Sequence, residues 1–390
     1  MFLIYDTMCN FCGGELENCY TPIKSNIGLE IYICKNCGLV QSKYDIEKYE
    51  QSNKTKQIKF KHLQCDAGYS EIRVGKQQMV NYAFECFDDI GIKLSPTSSV
   101  LDMKSARGDF ALKVLDYFNL NKIDCIEEDD YMTVSYKDDS RLTIYRDKYH
   151  LIEKRNYDLI YSCHSLEHYQ NPNKYLNFVR DLLKEDGLFY IDIPNIENID
   201  NDYNIDEFFY DKHLYYYDYE SIKSFISSIG FTPLYSKVTN QNIGLLFKRC
   251  NHKSIYPISN QYHSNKELIE KYSKSINENR NKLISVSNDV NKIFEKDDNH
   301  TNILIGCGRV LDAFVKYGGL DLDNFSILVD DYLYKITDEI YDKKLHDSSI
   351  LDNVKVDNAL VLIKHPSDKL LSKINFNDEK NLILLERLIR

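Results

Sequence analysis

The sequence predicts an α/β protein: a doubly wound, mostly parallel sheet, with a cysteine-rich lobe before it and a second, smaller α/β domain after it. Three observations lead there. Two Cys-x-x-Cys pairs open the chain, at Cys9 and Cys12 and at Cys34 and Cys37. From Ser99 to Arg249 short apolar runs alternate with amphipathic segments at the spacing of strand–helix units. After a polar stretch, a new strand–turn–helix pattern begins at Asn302.

Residues 1–45 read as a small β-rich ribbon, because a Cys-x-x-Cys turn presents two thiolates on one side and two such turns complete a tetrahedral zinc site. The gap between the pairs slightly exceeds the roughly 15–20 residues usual for such ribbons. With all four positions filled by Cys9, Cys12, Cys34 and Cys37, the metal is structural. Gly13, Gly14 and Gly38 suit the tight turns, and Cys19 lies outside the pattern. Residues 46–98 form a helical linker or lid, in which Arg73–Gly91 carries apolar positions at helical intervals and Gly91 stops the helix.

Residues 99–250 are the core. Strands are expected at Ser99–Met103, Lys122–Ile126, Leu142–Tyr145, Asp158–Ser162 and Leu188–Ile193, and helices at Phe110–Phe118 and Tyr175–Leu183. Asp186-Gly187 and Pro194-Asn195 supply punctuation. Residues 251–300 are a polar helical connector, with a charged helix over Lys266–Phe294. Residues 301–390 are the second α/β domain, with strands at Asn302–Ile305, Ile327–Asp331 and Ala359–Ile363 and a helix over Val310–Tyr317. Its Gly306-x-Gly308 turn reads either as a phosphate-approach loop, with Arg309 to grip a phosphate, or as a tight packing turn.

The 390 residues are too many for one ordinary core. Hydrophobic residues at 43% are enough for several. A net charge of −11 is a poor match to nucleic acid or an anionic membrane surface. No apolar run approaches the roughly 20 residues of a membrane helix. The apolar start Met1–Tyr5 is too short for a signal peptide, and the scattered cysteines suit a reducing compartment, so a cytoplasmic protein is expected.

Three polar segments lie just beyond core strands: Ser99–Asp102 running to Gly108, the acidic pair Glu127-Glu128, and Tyr157–His168. Ligands of open α/β sheets bind at such carboxyl ends. The order is the one a methyl-transfer site requires. S-adenosylmethionine (SAM) needs a tight turn after the first strand, a carboxylate after the second for its ribose, and a wall after the fourth facing the methyl group. Asp102, Gly108, Glu127, Ser162 and His164 are the cofactor-binding candidates, His164 alternatively capping the helix that follows it. The turn reads Asp102-Met103-Lys104-Ser105-Ala106-Arg107-Gly108, so Lys104 and Ala106 stand where such loops usually carry glycine. His168, Tyr210 and His213 are the catalytic candidates, as proton acceptors or substrate clamps. For each histidine a structural role is an equal alternative, and Tyr215–Tyr217 suit packing.

Short matches run along nearly the whole chain: Cys34–Gln41 in the lobe; Asp158–His168, Asp192–Asn195, His213–Tyr217, Ser221 and Gly230-Phe231 in the core; Ile305–Arg309 and Val329–Asp331 near the end. In this order they resemble the three-part SAM-dependent methyltransferases of sugar and polysaccharide biosynthesis, which include the deoxysugar C-methyltransferases. The resemblance implies a zinc lobe, a class I methyltransferase core and a C-terminal Rossmann-like domain. It implies that Tyr210 and His213 hold or deprotonate a keto-sugar. In C-methylating members the run is Tyr-His-Glu-His; here it is Tyr210-Asp211-Lys212-His213, with Lys212 at the glutamate position, so N- or O-methylation stays as open as C-methylation. The expected partner is a small polar molecule such as a nucleotide sugar, amino sugar, amino acid or phosphorylated glycan intermediate. The alternatives are a catalytically silent methyltransferase-like scaffold in glycan assembly, and a zinc-ribbon nucleic-acid binder, disfavoured by the charge.

Overall fold

The computed structural model describes residues 8–25, 27–48, 51, 74–106, 108–127, 139–146, 152, 156–199, 207–209, 213–250, 258–295, 300–335, 337–363 and 366–388. Tyr210, Asp211, Lys212 and Glu128 lie outside them. The described residues form two units, one from within 1–57, 67–200 and 209–270, the other from within 201–208 and 271–390.

The first unit opens with β1 (Leu16–Tyr20), β2 (Glu30–Cys34) and β3 (Val40–Lys43), an antiparallel ribbon. Along β2, buried Ile31 and Ile33 alternate with Glu30 and Tyr32, the period-two pattern of a strand with one covered face. Helix α1 (Val74–Ile90) buries Met79, Val80, Ala83, Cys86 and Phe87, one stripe at helical spacing. It ends at Gly91, whose φ of +71° lets the chain turn out of the helix.

The main sheet comprises β4 (Val100–Asp102), β5 (Ile123–Ile126), β6 (Leu142–Tyr145), β7 (Tyr157–Cys163) and β8 (Leu183–Pro194), with α2 (Asp109–Phe118) after β4 and α3 (Pro172–Leu182) before β8. The short strand β9 (Tyr215–Tyr216) leaves this sheet and pairs antiparallel with β3, making the ribbon four-stranded. After α4 (Tyr219–Ser228), β10 (Phe231–Val238) and β11 (Asn242–Arg249) complete the order β10-β11-β8-β7-β4-β5-β6. Strands β4 to β8 are parallel, and β11 runs antiparallel to both β8 and β10. The chain winds outward from β4 through β5 and β6, then returns to start β7 on β4's other side. That reversal is a topological switch point, and the turns after β4 and β7 flank it.

Asp186-Gly187 does not end a strand. Tyr157 pairs with Leu183 and Leu159 with Leu188, so residues 184–187 bulge within β8, with Asp186 at φ +63°. The hairpin of β10 and β11 is also beyond the expected elements.

Helix α5 (Tyr262–Ile293) is divided between the units. The second unit holds β12 (Asn302–Ile305), α6 (Arg309–Ala313), β13 (Ile327–Val329), β14 (Glu339–Ile340), β15 (Lys343–His346), β16 (Val356–Val361), α7 (Asp368–Leu371), β17 (Phe376–Leu384) and α8 (Leu385–Leu388). Its sheet order is β14-β15-β13-β12-β16-β17, all parallel except β14. An amide ladder crosses it: Asn381 Nδ2 donates to Asn358 Oδ1 and Asn358 Nδ2 to Asn302 Oδ1, at 2.8 and 2.6 Å. The expected helix over Val310–Tyr317 is regular only to Ala313 and then widens into a π turn, Phe314–Gly318. Gly318 there is pressed against Ser287 of α5, with no room for a Cβ. Gly306 has φ +95°, and a Cβ on it would meet Ile363 at 2.8 Å, which makes it a packing turn.

Gly38 is the glycine on which the ribbon most depends. Its φ is +78°, and a Cβ would collide with the backbone of Gln261 and Tyr262. Gly28 has φ +65° with nothing near. Gly38→Ala is therefore expected to cost about 2–3 kcal/mol, or roughly 5–10 °C in melting temperature, and Gly28→Ala only about 1 kcal/mol. Paired thermal melts of the two variants check the difference.

Candidate functional site

The turn after β4 is held from both sides. Met103 N donates to Tyr161 O at 3.0 Å, Ser105 N to Ile126 O at 3.1 Å and Lys104 N to Asp102 Oδ1 at 3.2 Å. Glu127, buried at the end of β5, accepts from Ala106 N at 2.6 Å through Oε2. Ala106 has φ +50° and Gly108 φ +79°, so the loop makes left-handed turns even where glycine has been replaced. The Lys104 side chain is exposed. Asp102, Gly108 and Glu127 thus come together around one turn.

Ser162 follows Tyr161, the β7 residue paired with Asp102, and its hydroxyl is buried and accepts from Tyr175 OH at 2.7 Å. His164, at φ +48°, does not cap the following turn. Its amide donates to Asp192 O at 2.8 Å, and its ring Nε2 lies 3.1 Å from Asn242 Oδ1 and 3.3 Å from Asp192 Oδ1. Asp192 on β8 and Asn242 on β11 are its immediate neighbours, which draws the ring across the sheet rather than onto the turn.

Beyond His164 a single 3-10 turn, Leu166–His168, carries Glu167 inward. The residue is 1% exposed, and neither carboxylate oxygen has a hydrogen-bond donor among the described residues. His168 Nε2 stands 3.7 Å from Glu167 Oε1, His213 Nε2 3.9 Å and His164 Nδ1 4.0 Å. The His168 and His213 rings meet edge to face at 4.9 Å. Burial pushes the Glu167 pKa up to about 7, with the charge of His164 opposing. Burial also raises Asp192, again against His164. Burial works against charge on His164, but Asp192 and Glu167 overcome it and hold the imidazole above its ordinary pKa.

His213 reaches this cluster through the ribbon. Ser42 N donates to Leu214 O and Leu214 N to Glu167 O, both at 2.8 Å, while Ser42 Oγ bonds the His213 carbonyl at 3.0 Å. Tyr215 OH accepts from Asn10 Nδ2 at 2.6 Å and donates to Gln170 O at 2.9 Å. Tyr215, Tyr216 and Tyr217 are all buried.

In the ribbon, Cys9 Sγ and Cys37 Sγ lie 3.6 Å apart and Cys12 Sγ and Cys34 Sγ 3.5 Å. All four sulfurs lie within 4.8 Å of one another. Two thiolates on one zinc, each at about 2.3 Å, are about 3.8 Å apart. Donors surround them: Phe11 N to Cys9 Sγ at 3.3 Å, Asn36 Nδ2 to Cys12 Sγ at 3.4 Å and Cys37 N to Cys34 Sγ at 3.5 Å. A Cβ on Gly14 would lie 2.9 Å from Cys34 Sγ, so the turn is closed around the sulfurs. The donor set fits one four-coordinate soft metal ion. Cys19 stands apart, bonded to Ile31 O.

Residues 65–236 match the family model described as a methyltransferase domain. Those residues form a methyltransferase domain. The chain is an enzyme of the methyltransferase class. No curated protein matches the chain in sequence. Among solved structures, a SAM-dependent methyltransferase from Mesorhizobium loti is similar at 12% identity over 43% of this chain and 97% of its own, with a TM-score of 0.34. The 1,6-didemethyltoxoflavin-N1-methyltransferase of Burkholderia thailandensis, with bound S-adenosylhomocysteine, is similar at 12% identity over 60% and 95%, with a TM-score of 0.39. A SAM-dependent methyltransferase from Aquifex aeolicus gives 11% identity over 53% and 100%, at 0.34. Those scores describe a general likeness, and the assignment of the domain rests on the family match. Among the described residues no helix is long and apolar enough to cross a membrane.

Sequence reasoning did not single out Glu167, Asp192 or Asn242. Glu167 was adjacent to a chosen residue, His168, but an acid in a polar turn ordinarily faces water. Only the long-range bond from Leu214 N to its carbonyl shows the turn to be covered.

The tie at Ala106 yields a prediction for the methyltransferase domain. An alanine at φ +50° is strained where glycine is not. Ala106→Gly is expected to stabilise the protein by about 1 kcal/mol, read from urea unfolding midpoints at constant slope.

Proposed function

We propose that the chain transfers a methyl group from SAM to a small polar acceptor of the sugar or glycan type. The observation that carries this is the turn after β4: it has lost two of its usual glycines yet holds left-handed backbone at Ala106 and Gly108, closed by the buried carboxylate of Glu127. Asp102, Gly108, Glu127, Ser162 and His164 are the residues assigned to the cofactor, Glu127 for its ribose hydroxyls. When bound, SAM supplies an electrophilic methyl on a sulfonium.

The chain's own residues then have two tasks. One is alignment of the acceptor along the line of displacement. The other is removal of a proton from the acceptor where the nucleophile carries one. His168, Tyr210 and His213 are assigned to these tasks, with Glu167 behind the two histidines. The resemblance of the sequence motifs to those of sugar-modifying methyltransferases favours a sugar or amino-sugar acceptor, and C-, N- and O-methylation all remain within the scheme.

The decisive experiment is calorimetry with SAM and S-adenosylhomocysteine, followed by an S-adenosylhomocysteine release assay over nucleotide sugars, amino sugars and amino acids. Saturable binding is expected, with Glu127→Ala weakening it about 10- to 100-fold, the range for a charged hydrogen-bonding group. His213→Ala should leave cofactor affinity near parent and lower turnover about 100-fold or more. A lack of heat at millimolar ligand would sink the proposal and favour a silent scaffold.

The four cysteines are assigned to structural zinc, with no open coordination position. Chelation should unravel the ribbon and loosen β9. Because Asp102 and Glu127 lie on the main sheet, loss of zinc should depress turnover more than SAM affinity. Metal content by mass spectrometry, set beside kcat and the SAM Kd, checks this.

A further inference from the structure

We propose that Glu167, His168 and His213 form a second metal site, which takes a divalent transition ion and keeps coordination positions open to an acceptor oxygen. Its catalytic use rests on the function proposed above; the binding does not.

The geometry is that of a ligand set drawn around a point. Glu167 Oε1 is 3.7 Å from His168 Nε2 and 3.9 Å from His213 Nε2. These separations are too long for hydrogen bonds. They suit two ligands of a common ion, since atoms each about 2.0–2.2 Å from a metal lie roughly 3–4 Å apart. All three ligand atoms lie within 4.8 Å of one another.

The second observation is the state of Glu167 itself. A carboxylate 1% exposed, with no hydrogen-bond donor to either oxygen among the described residues, is expensive to bury. The surrounding imidazoles approach it without closing to hydrogen-bond distance. A cation at the focus removes the penalty.

His164 is a positioning neighbour of the site: its Nε2 faces the oxygens of Asn242 and Asp192, and its Nδ1 lies 4.0 Å from Glu167 Oε1.

Two imidazoles and one carboxylate, with the remaining positions open, suit zinc, iron(II) or manganese rather than magnesium or calcium. The His168 side chain is 27% exposed, which leaves an approach for a ligand. With the ion in place His168 and His213 would serve as its ligands and align the acceptor rather than take its proton; an acceptor hydroxyl bound to the ion would have its pKa lowered and release its proton to solvent. The oxygen lone pair then forms the bond to the methyl carbon. The carbon–sulfur bond breaks, its electrons return to sulfur, and neutral S-adenosylhomocysteine leaves.

The test is a metal count on the full-length chain, stripped under reducing conditions and titrated with cobalt(II). The parent is expected to bind two equivalents. One carries the intense thiolate charge-transfer band of the four-cysteine centre, and the other adds only weak visible absorption. Glu167→Gln and His213→Asn should each retain the thiolate band, which reports a folded ribbon, and lose the other equivalent. A parent that binds a single equivalent, or a second equivalent that survives in both variants, overturns the site. The count needs neither SAM nor acceptor. Two equivalents without methyl transfer would therefore sustain the metal site while the functional reading failed.

Discussion

The cluster around Glu167 depends on one short pairing, β9 against β3. Val40 faces Tyr216 and Gln41 faces Tyr215 across it, and Ser42 N reaches one residue further to Leu214 O. On its other edge the same segment gives Leu214 N to Glu167 O. A two-residue strand is thereby clamped between the ribbon and the turn after β7. Such a strand has no stability of its own. What holds it is the ribbon edge, and the ribbon in turn packs Phe11 and Leu39 into the same core as Tyr217 and Phe225. The cysteine lobe is therefore part of the machinery that presents His213 to Glu167, and the buried Tyr215–Tyr217 run is the anchor for that presentation.

Much of this was legible in the sequence. The sheet strands β4 to β8 were visible because a strand covered on both faces carries a run of consecutive apolar residues, such as Leu159–Tyr161 within the expected Asp158–Ser162. The gathering of the four cysteines was visible because each Cys-x-x-Cys turn presents two thiols on one side. The β10–β11 hairpin was harder, since Thr232, Tyr235 and Lys237 dilute β10 with polar residues on a half-exposed edge. Glu167 was illegible for a different reason. Its burial depends on a bond to a residue 47 positions later in the chain, and no local pattern carries that information. The alternative of His164 as a cap does not hold, because its neighbours, Asp192 and Asn242, sit on strands that reach it only once the sheet is assembled.

The charge distribution follows the same logic. A chain of net charge −11 concentrates two buried acids, Glu167 and Asp192, under three histidines at the carboxyl ends of β7 and β8. Burial favours neutral carboxyls while the imidazole of His164 favours ionised ones, and the balance leaves Glu167 poised near neutrality. A cluster built for packing would have replaced these groups with apolar ones of similar volume at little cost. Titratable groups displaced from their ordinary values and gathered at one place are instead what a site that handles protons or cations requires.

The two units also share a construction that clarifies what Glu127 does. Numbered by sequence, the parallel strands of the second sheet run 3-2-1-4-5, as do β6-β5-β4-β7-β8 in the first. In the second unit the turn after β12 is closed by Asp330, which follows β13 and accepts from Cys307 N at 2.8 Å through Oδ2. In the first, the turn after β4 is closed by Glu127, which follows β5 and accepts from Ala106 N. The same tie at equivalent points means the carboxylate has a structural task in each sheet: it neutralises an amide that the turn would leave unsatisfied. The ligand role proposed for Glu127 would then be added to a group already held in place. Its aim is set by the loop before any cofactor arrives, which is the preorganisation that a binding carboxylate needs.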